Sequence, residues 1–181
     1  MGHPLLRMRS EKVNDPASNG VKRLVSNMIS TLNHAKGAGL AAPQVGVLKR
    51  VVIFRVPKER IKEERNSNIV DLTVLVNPKI KILTKKKEMG WEGCLSVPGL
   101  RGIVSRFYSV RYSGYTTDGK KIIREAKGFH ARVVQHECDH LDGVLYPMRM
   151  KDMSSLSFTD QLDPDASDLV QARLDTAGSI R

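Results

Sequence analysis

Apolar residues fall at Val21, Leu24, Val25, Met28, Ile29 and Leu32, the three-and-four spacing of a helix with one buried stripe. Asp15-Pro16 ahead of them suits an N-cap followed by proline at the first helical position, and Gly37 stops the pattern. Residues 37–44 are too small and glycine-rich for ordinary helix. The β-branched run Val51–Val56 reads as a buried strand. Strand-like patterns return at residues 72–76 and 80–83, interrupted by Pro78, and Tyr108, Val110 and Tyr112 alternate with polar partners. Asp118-Gly119 marks a hairpin turn before a short strand around Ile122-Ile123. Gly128 precedes a helical segment to about Asp142, with Gly143 as its C′ residue. Between these elements, residues 90–96 read as a loop, and residues 58–65 as a charged, exposed excursion before the turn-like Asn66-Ser67-Asn68. Strands first and a helix late predict an α+β fold rather than alternating βαβ units.

Composition narrows the class. At 181 residues and 40% hydrophobic, the chain suffices for one ordinary domain with its own core. Its longest apolar run, residues 51–54, is far too short to span a bilayer. The first ten residues lack the apolar stretch and cleavage site of a secretory signal. Two cysteines make no disulfide scaffold, which points to a reducing compartment or to thiols used for chemistry.

Charge adds a question. The net charge is +11, from 30 Lys+Arg against 19 Asp+Glu. Residues 49–87 hold twelve basic and four acidic residues, whereas the tail from Arg149 holds four basic and six acidic. The excess therefore gathers on one stretch, as on a solvated surface or a face drawn to a polyanion. None of the aromatics interleaves with Lys85-Lys86-Lys87, so a platform for stacking single-stranded nucleic acid has little support.

The strongest chemical signal is His136-Glu137-Cys138-Asp139-His140, an HExxH pattern inside the second predicted helix. Residues four apart share a helical face, so both imidazoles can reach one metal. Glu137 sits about 100° round the helix, able to approach water at that metal without being a ligand. Composition alone would produce the pattern roughly 0.006 times in this chain. A catalytic metal needs a third protein ligand and an open position. Downstream of His140 there is no His or Glu, only aspartates such as Asp142 and Asp160. Upstream, Cys94 in its Gly-flanked segment completes a Cys-His-His set suited to zinc or ferrous iron. Cys138 is more simply a packed core residue, and His34 and His130 have no partner at ligand spacing.

Three segments speak together: GAGLAAPQ (37–44), EGCLS (92–96) and QHECDHLDG (135–143). In order and spacing they resemble the three signature motifs of peptide deformylases, over residues 3–148. The excursion near residues 58–70 and the GFHARVVQHE context look closest to the mitochondrial-like branch. The resemblance implies antiparallel sheets packed around a central helix carrying HExxH, with an N-terminal helix. It implies a catalytic domain over residues 1–150; the tail over 151–181 carries no family motif, and its own pattern leaves room for one short helix bearing Leu169, Val170 and Leu174. The implied activity is removal of the N-formyl group from formyl-methionine on nascent chains, releasing formate. Cys94, His136 and His140 would hold one divalent ion, natively Fe2+, with Zn2+, Ni2+ or Co2+ as substitutes. Glu137 would be the acid–base residue, and the Gln44 amide and Leu95 backbone N–H would steady the developing oxyanion. Ala38, Gly39 and Gly93 would pair with an extended peptide, Arg101 would lie near it, and Phe129 and Val133 would help to form the methionine pocket. Arg132 departs from the apolar residue that many bacterial members place there, and Trp91 reads as either pocket wall or core, with core slightly favoured.

Two other readings remain at this level. One is an HExxH metallopeptidase with an aspartate as third ligand; the other is a basic, non-enzymatic module binding the ribosome or RNA. In a deformylase, the basic face would serve encounter with the ribosome near the exit tunnel. Motifs starting so close to Met1 favour a bacterial cytoplasm, and a mature organellar form would look the same.

Overall fold

A computed structural model describes residues 1–58 and 69–162. The first helix, α1 (Asn19–Ala35), begins later than the Asp15-Pro16 signal predicts. Asp15 turns back to accept the Ala17 N–H at 2.9 Å, which uses up its capping oxygen, and Ser18 caps the helix through the Val21 N–H. Its buried stripe is Val21, Val25, Met28 and Leu32.

Next come β1 (Gly39–Ala41), a 3-10 turn (Ala42–Val45) and β2 (Val51–Val56). β2 is apolar on both faces because it is covered on both. Val52 and Phe54 face a core shared with the second helix, while Val51 and Ile53 face α1. β3 (Val70–Ile82) is one strand where the sequence suggests two. Pro78 is accommodated because the pairing register shifts between Val76 and Lys79. There Asn77 adopts φ 52° and its side chain bonds the Val13 N–H and C=O at 2.9 and 2.8 Å. Residues 70–76 of β3 pair with β2, and Val76 and residues 79–82 with β6 (Ser109–Tyr115). β6 returns through the Asp118-Gly119 turn into β7 (Lys121–Lys127), as the pattern predicts. The five strands form an antiparallel sheet in the order β1-β2-β3-β6-β7.

Residues 90–96 correct the sequence reading. They are no loop but belong to a long hairpin, β4 (Lys87–Cys94) and β5 (Val97–Phe107), joined through Leu95-Ser96. Gly90 hides the strand from propensity. A Cβ there would lie 2.7 Å from Arg132 Nη2, so the missing side chain makes room for a guanidinium from the second helix. β8 (Ser157–Phe158) joins β5 to complete a three-stranded sheet.

The second helix, α2 (Gly128–Leu141), runs between the sheets and is buried on most sides. It ends where expected, with Asp142 as C-cap and Gly143 at φ 73°. Val133, Val134, Cys138 and Leu141 pack on the five-stranded sheet. Burial raises the Cys138 thiol pKa, in keeping with a packing role. Gln135 acts as a false strand partner: it accepts the Phe107 N–H at 3.1 Å and donates to the Phe107 C=O at 2.9 Å. His34 is exposed, whereas His130 is buried. The predicted excursion and its turn fall largely within residues 59–68, and the tail helix within residues 163–181; both lie outside the described residues.

His130 supplies a test of this core. Its ring packs 5.9 Å from Phe54 and 5.5 Å from Tyr112, and burial, aided by nearby Arg124, lowers its pKa to about 4. Between that value and an unfolded pKa near 6.5, the unfolded chain binds more protons. This contribution is therefore whole above about pH 6.5 and is lost as pH falls towards 4, by up to about 3 kcal/mol. Denaturant unfolding of His130→Phe should show a shallower decline over that window than the parent; equal declines would contradict the assignment.

Candidate metal centre and cleft

α2 and the β4–β5 hairpin bring together three side chains of metal-binding type. Cys94 Sγ, at the end of β4, lies 3.3 Å from His140 Nε2, and the Cys94, His136 and His140 donor atoms lie within 4.8 Å of one another. They form the sole such cluster of His, Cys and acidic groups among the described residues. One thiolate and two imidazoles converging on one point suit a divalent metal of zinc or iron type. Asp142, one of the two aspartates considered above, pairs instead with Arg50 at 2.7 Å and Arg9 at 3.6 Å. Asp160 is exposed in a 3-10 turn and outside the cluster.

A buried carboxylate orients the set. Glu92 accepts from Arg106 Nε at 2.8 Å and Nη2 at 2.9 Å, from Arg132 Nη1 at 2.9 Å, and contacts His136 Nδ1 at 2.8 Å. Because Glu92 occupies Nδ1, Nε2 of His136 is the nitrogen left for a metal. Burial alone would raise the Glu92 pKa, but the hydrogen bonds of Arg106 and His136 outweigh it and hold the carboxyl well below the usual range. Burial alone would likewise lower His136, yet its hydrogen bonds to Cys94 and Glu92 raise it to about 10. Burial, then the His136 charge, lowers His140 to about 3.

The charge network continues outward. Arg106 Nη1 donates to Asp139 at 2.5 Å, and Asp139 also accepts from Arg149 at 2.7 and 3.0 Å. Arg132 also donates from Nη1 to the carbonyls of Gly90 and Val104 and from Nη2 to that of Glu88. The sequence reading gives Glu92, Arg106 and Asp139 no role. The available signals were Glu92 two residues before Cys94, and Arg132 four before His136 on the same face of α2.

Glu137 is buried on the cleft side of the helix, with Oε2 unpaired among the described residues. Burial raises its pKa to about 7, with the His136 charge acting in opposition. Its carboxyl lies directly over Gly39, where any Cβ would collide with it. Gln44 Oε1 accepts the Ala41 N–H at 2.8 Å, which turns the amide NH2 towards Cys94 Sγ at 3.6 Å and Ser96 Oγ at 3.1 Å.

These groups border a cleft of about 460 Å³. Ala38, Gly39, Gln44, Gly93, Cys94, Leu95, Arg101, Phe129, Val133, His136 and Glu137 all line it, while His140 is buried and does not. Trp91, for which the sequence leaves core and pocket wall open, is half-buried and lines the cleft as well. Arg132 reaches the wall, but its guanidinium is tied into β4.

Residues 1–155 match the family described as polypeptide deformylase. Peptide deformylase 1 of Bordetella pertussis is 48% identical over 165 residues, covering 91% of this chain and 93% of that protein. Peptide deformylase 2 of Ralstonia nicotianae is 54% identical over 142 residues, covering 78% and 79%. The Met-Ala-Ser-bound class I type b peptide deformylase of Acinetobacter baumannii superposes with a TM-score of 0.74 at 36% identity, over 82% of this chain and 95% of that one.

If Glu92 orients His136, Glu92→Gln should weaken metal affinity about ten- to a hundredfold. Cys94→Ala should lose most bound metal. Metal analysis after dialysis against a chelator series measures both, and parent-like retention in either variant would count against the ligand set.

Proposed function

The chain belongs to the polypeptide deformylase family, enzymes that hydrolyse the N-formyl group from formyl-methionine peptides, and on that premise we propose how its own residues perform the reaction. The observation that carries the proposal is the convergence of Cys94, His136 and His140 at the cleft, with Glu137 beside them. We assign Cys94, His136 and His140 as the ligands of one divalent ion, natively Fe2+, with Zn2+, Ni2+ or Co2+ able to replace it. When bound, the metal supplies Lewis acidity to water and to the formyl oxygen.

Glu137 takes the proton of the attacking water as the water oxygen bonds to the formyl carbon. It then delivers that proton to the nitrogen as the C–N bond breaks, leaving formate and a free amino terminus. The Gln44 amide, already aimed at Cys94 by the Ala41 N–H, and the Leu95 backbone N–H donate to the oxygen as charge develops.

Substrate placement follows from the sheets. β1 and β4 are edge strands of different sheets, and both border the cleft. An extended peptide can add as a strand between them, meeting backbone at Ala38, Gly39 and Gly93. Phe129 and Val133 receive the methionine side chain, with Trp91 as a further wall. Arg101 lies alongside and, among the described residues, makes no ion pair. The Met-Ala-Ser bound to the Acinetobacter relative supports a peptide as the ligand.

The partner and compartment readings rest on charge and kinship. A second cleft, behind α2, is bordered by Arg50, Lys79, Lys87, Arg106, Arg149 and Lys151 against Asp139 and Asp142. This positive surface would draw the enzyme to ribosomal RNA, where formylated chains emerge. Relatives in Bordetella and Ralstonia support a bacterial cytoplasm, and no helix among the described residues is long and apolar enough to cross a membrane.

Formate release from a formyl-Met peptide tests the chemistry. Glu137→Gln should lower kcat by about a hundredfold or more, and Gln44→Leu by about a hundred- to a thousandfold; full turnover in the first would sink the assignment. Cosedimentation with ribosomes should fall steeply as salt rises from about 50 to about 200 mM, and salt-independent binding would contradict the encounter role.

A further inference from the structure

Thr159 lines the cleft beyond residue 155, where the match to the family model ends. The reason lies in β5. Cys94 pairs with Val97 and Gly93 with Arg101, so Pro98, Gly99 and Leu100 bulge out with no counterpart on β4. That bulge borders the cleft. On its outer side β8 pairs with it, Phe158 opposite Leu100 and Ser157 opposite Arg101.

The strap carrying β8 is fastened down. Buried Ser155 accepts the Ile103 N–H at 3.2 Å and donates to the Asp152 C=O at 3.0 Å. Leu156 packs with Leu100 and Met150 on the core of Val97, Val104, Leu145 and Tyr146. Residues directly opposite in an antiparallel pair share a face of the sheet, so Phe158 stands on the same face as the cleft-lining Leu100. Phe158 is nevertheless 63% exposed, and Thr159 is exposed beside it. An anchored strand thus holds an aromatic ring and a hydroxyl uncovered next to the bulge.

We propose that Ser157–Thr159 completes the substrate site, contacting residues of the nascent peptide beyond the second and favouring longer formylated peptides with an apolar side chain there. This inference rests on the deformylase reading. Through β8, Phe158 supplies apolar surface to such a side chain, Thr159 a polar contact to the peptide, and Ser157 braces Arg101 from behind.

The test compares formyl-Met-Ala with formyl-Met-Ala-Ser-Leu in the parent protein, Thr159→Trp and Phe158→Ala; both substituted positions are exposed, so the fold should tolerate them. The expected result is a fall of about fivefold in the ratio of kcat/KM for the longer over the shorter peptide, carried by KM. Such a fall in either variant supports the proposal. A ratio unchanged in both variants, or equal losses on both peptides, overturns it. A parent protein releasing formate from neither peptide would overturn the deformylase reading, and this one with it.

Discussion

The buried carboxylate of Glu92 is the constraint around which the site is organised. It sits on β4, accepts a two-pronged bond from Arg106 on β5, and draws Arg132 and His136 of α2 to the same point. A lone carboxylate in such a place would be costly; with two guanidiniums and an imidazole around it, the charge is compensated. Removing one partner from a buried cluster of this type typically costs about 3–5 kcal/mol. The hairpin and the helix are thereby locked in the one relation that brings Cys94 Sγ to His140 Nε2.

This lock explains why a helix with so many polar residues can be central. Arg132 is spent on strand carbonyls, Gln135 on both backbone groups of Phe107, and Asp139 on Arg106 and Arg149. The atoms left unpaired on the cleft side of this accounting include Glu137 Oε2. Buried polar atoms are seldom left so; of the six among the described residues, Glu137 Oε2 alone belongs to a residue that lines the cleft. The same logic separates the two thiols. Cys94 stands in the ligand cluster, and Cys138 is packed in the apolar core.

Much of the architecture was legible from spacing alone. The α1 stripe, β2, the β6–β7 hairpin and α2 with its terminal glycine all follow from local periodicity and turn chemistry. HExxH was legible because a helix converts a four-residue spacing into a shared face. The β4–β5 hairpin was not, because Gly90 and Gly93 depress strand propensity for a reason supplied from outside the strand: at Gly90, an arginine of α2 occupies the vacant space. Pro78 divided β3 in the pattern because nothing local reveals that Asn77 and Val13 would absorb the break. The Glu92 cluster joins residues 14 to 44 positions apart, beyond the reach of any local signal, although its members lie inside or beside the motifs.

The central claim is that the fold delivers one thiolate and two imidazoles, and no carboxylate, to a single metal. X-ray absorption at the metal edge of the iron- or zinc-loaded protein tests this most directly. The predicted first shell contains one sulfur and two imidazole nitrogens, with the sulfur lost in Cys94→Ala. A second sulfur, a carboxylate ligand from the protein, or a shell unaltered by that substitution would contradict the account.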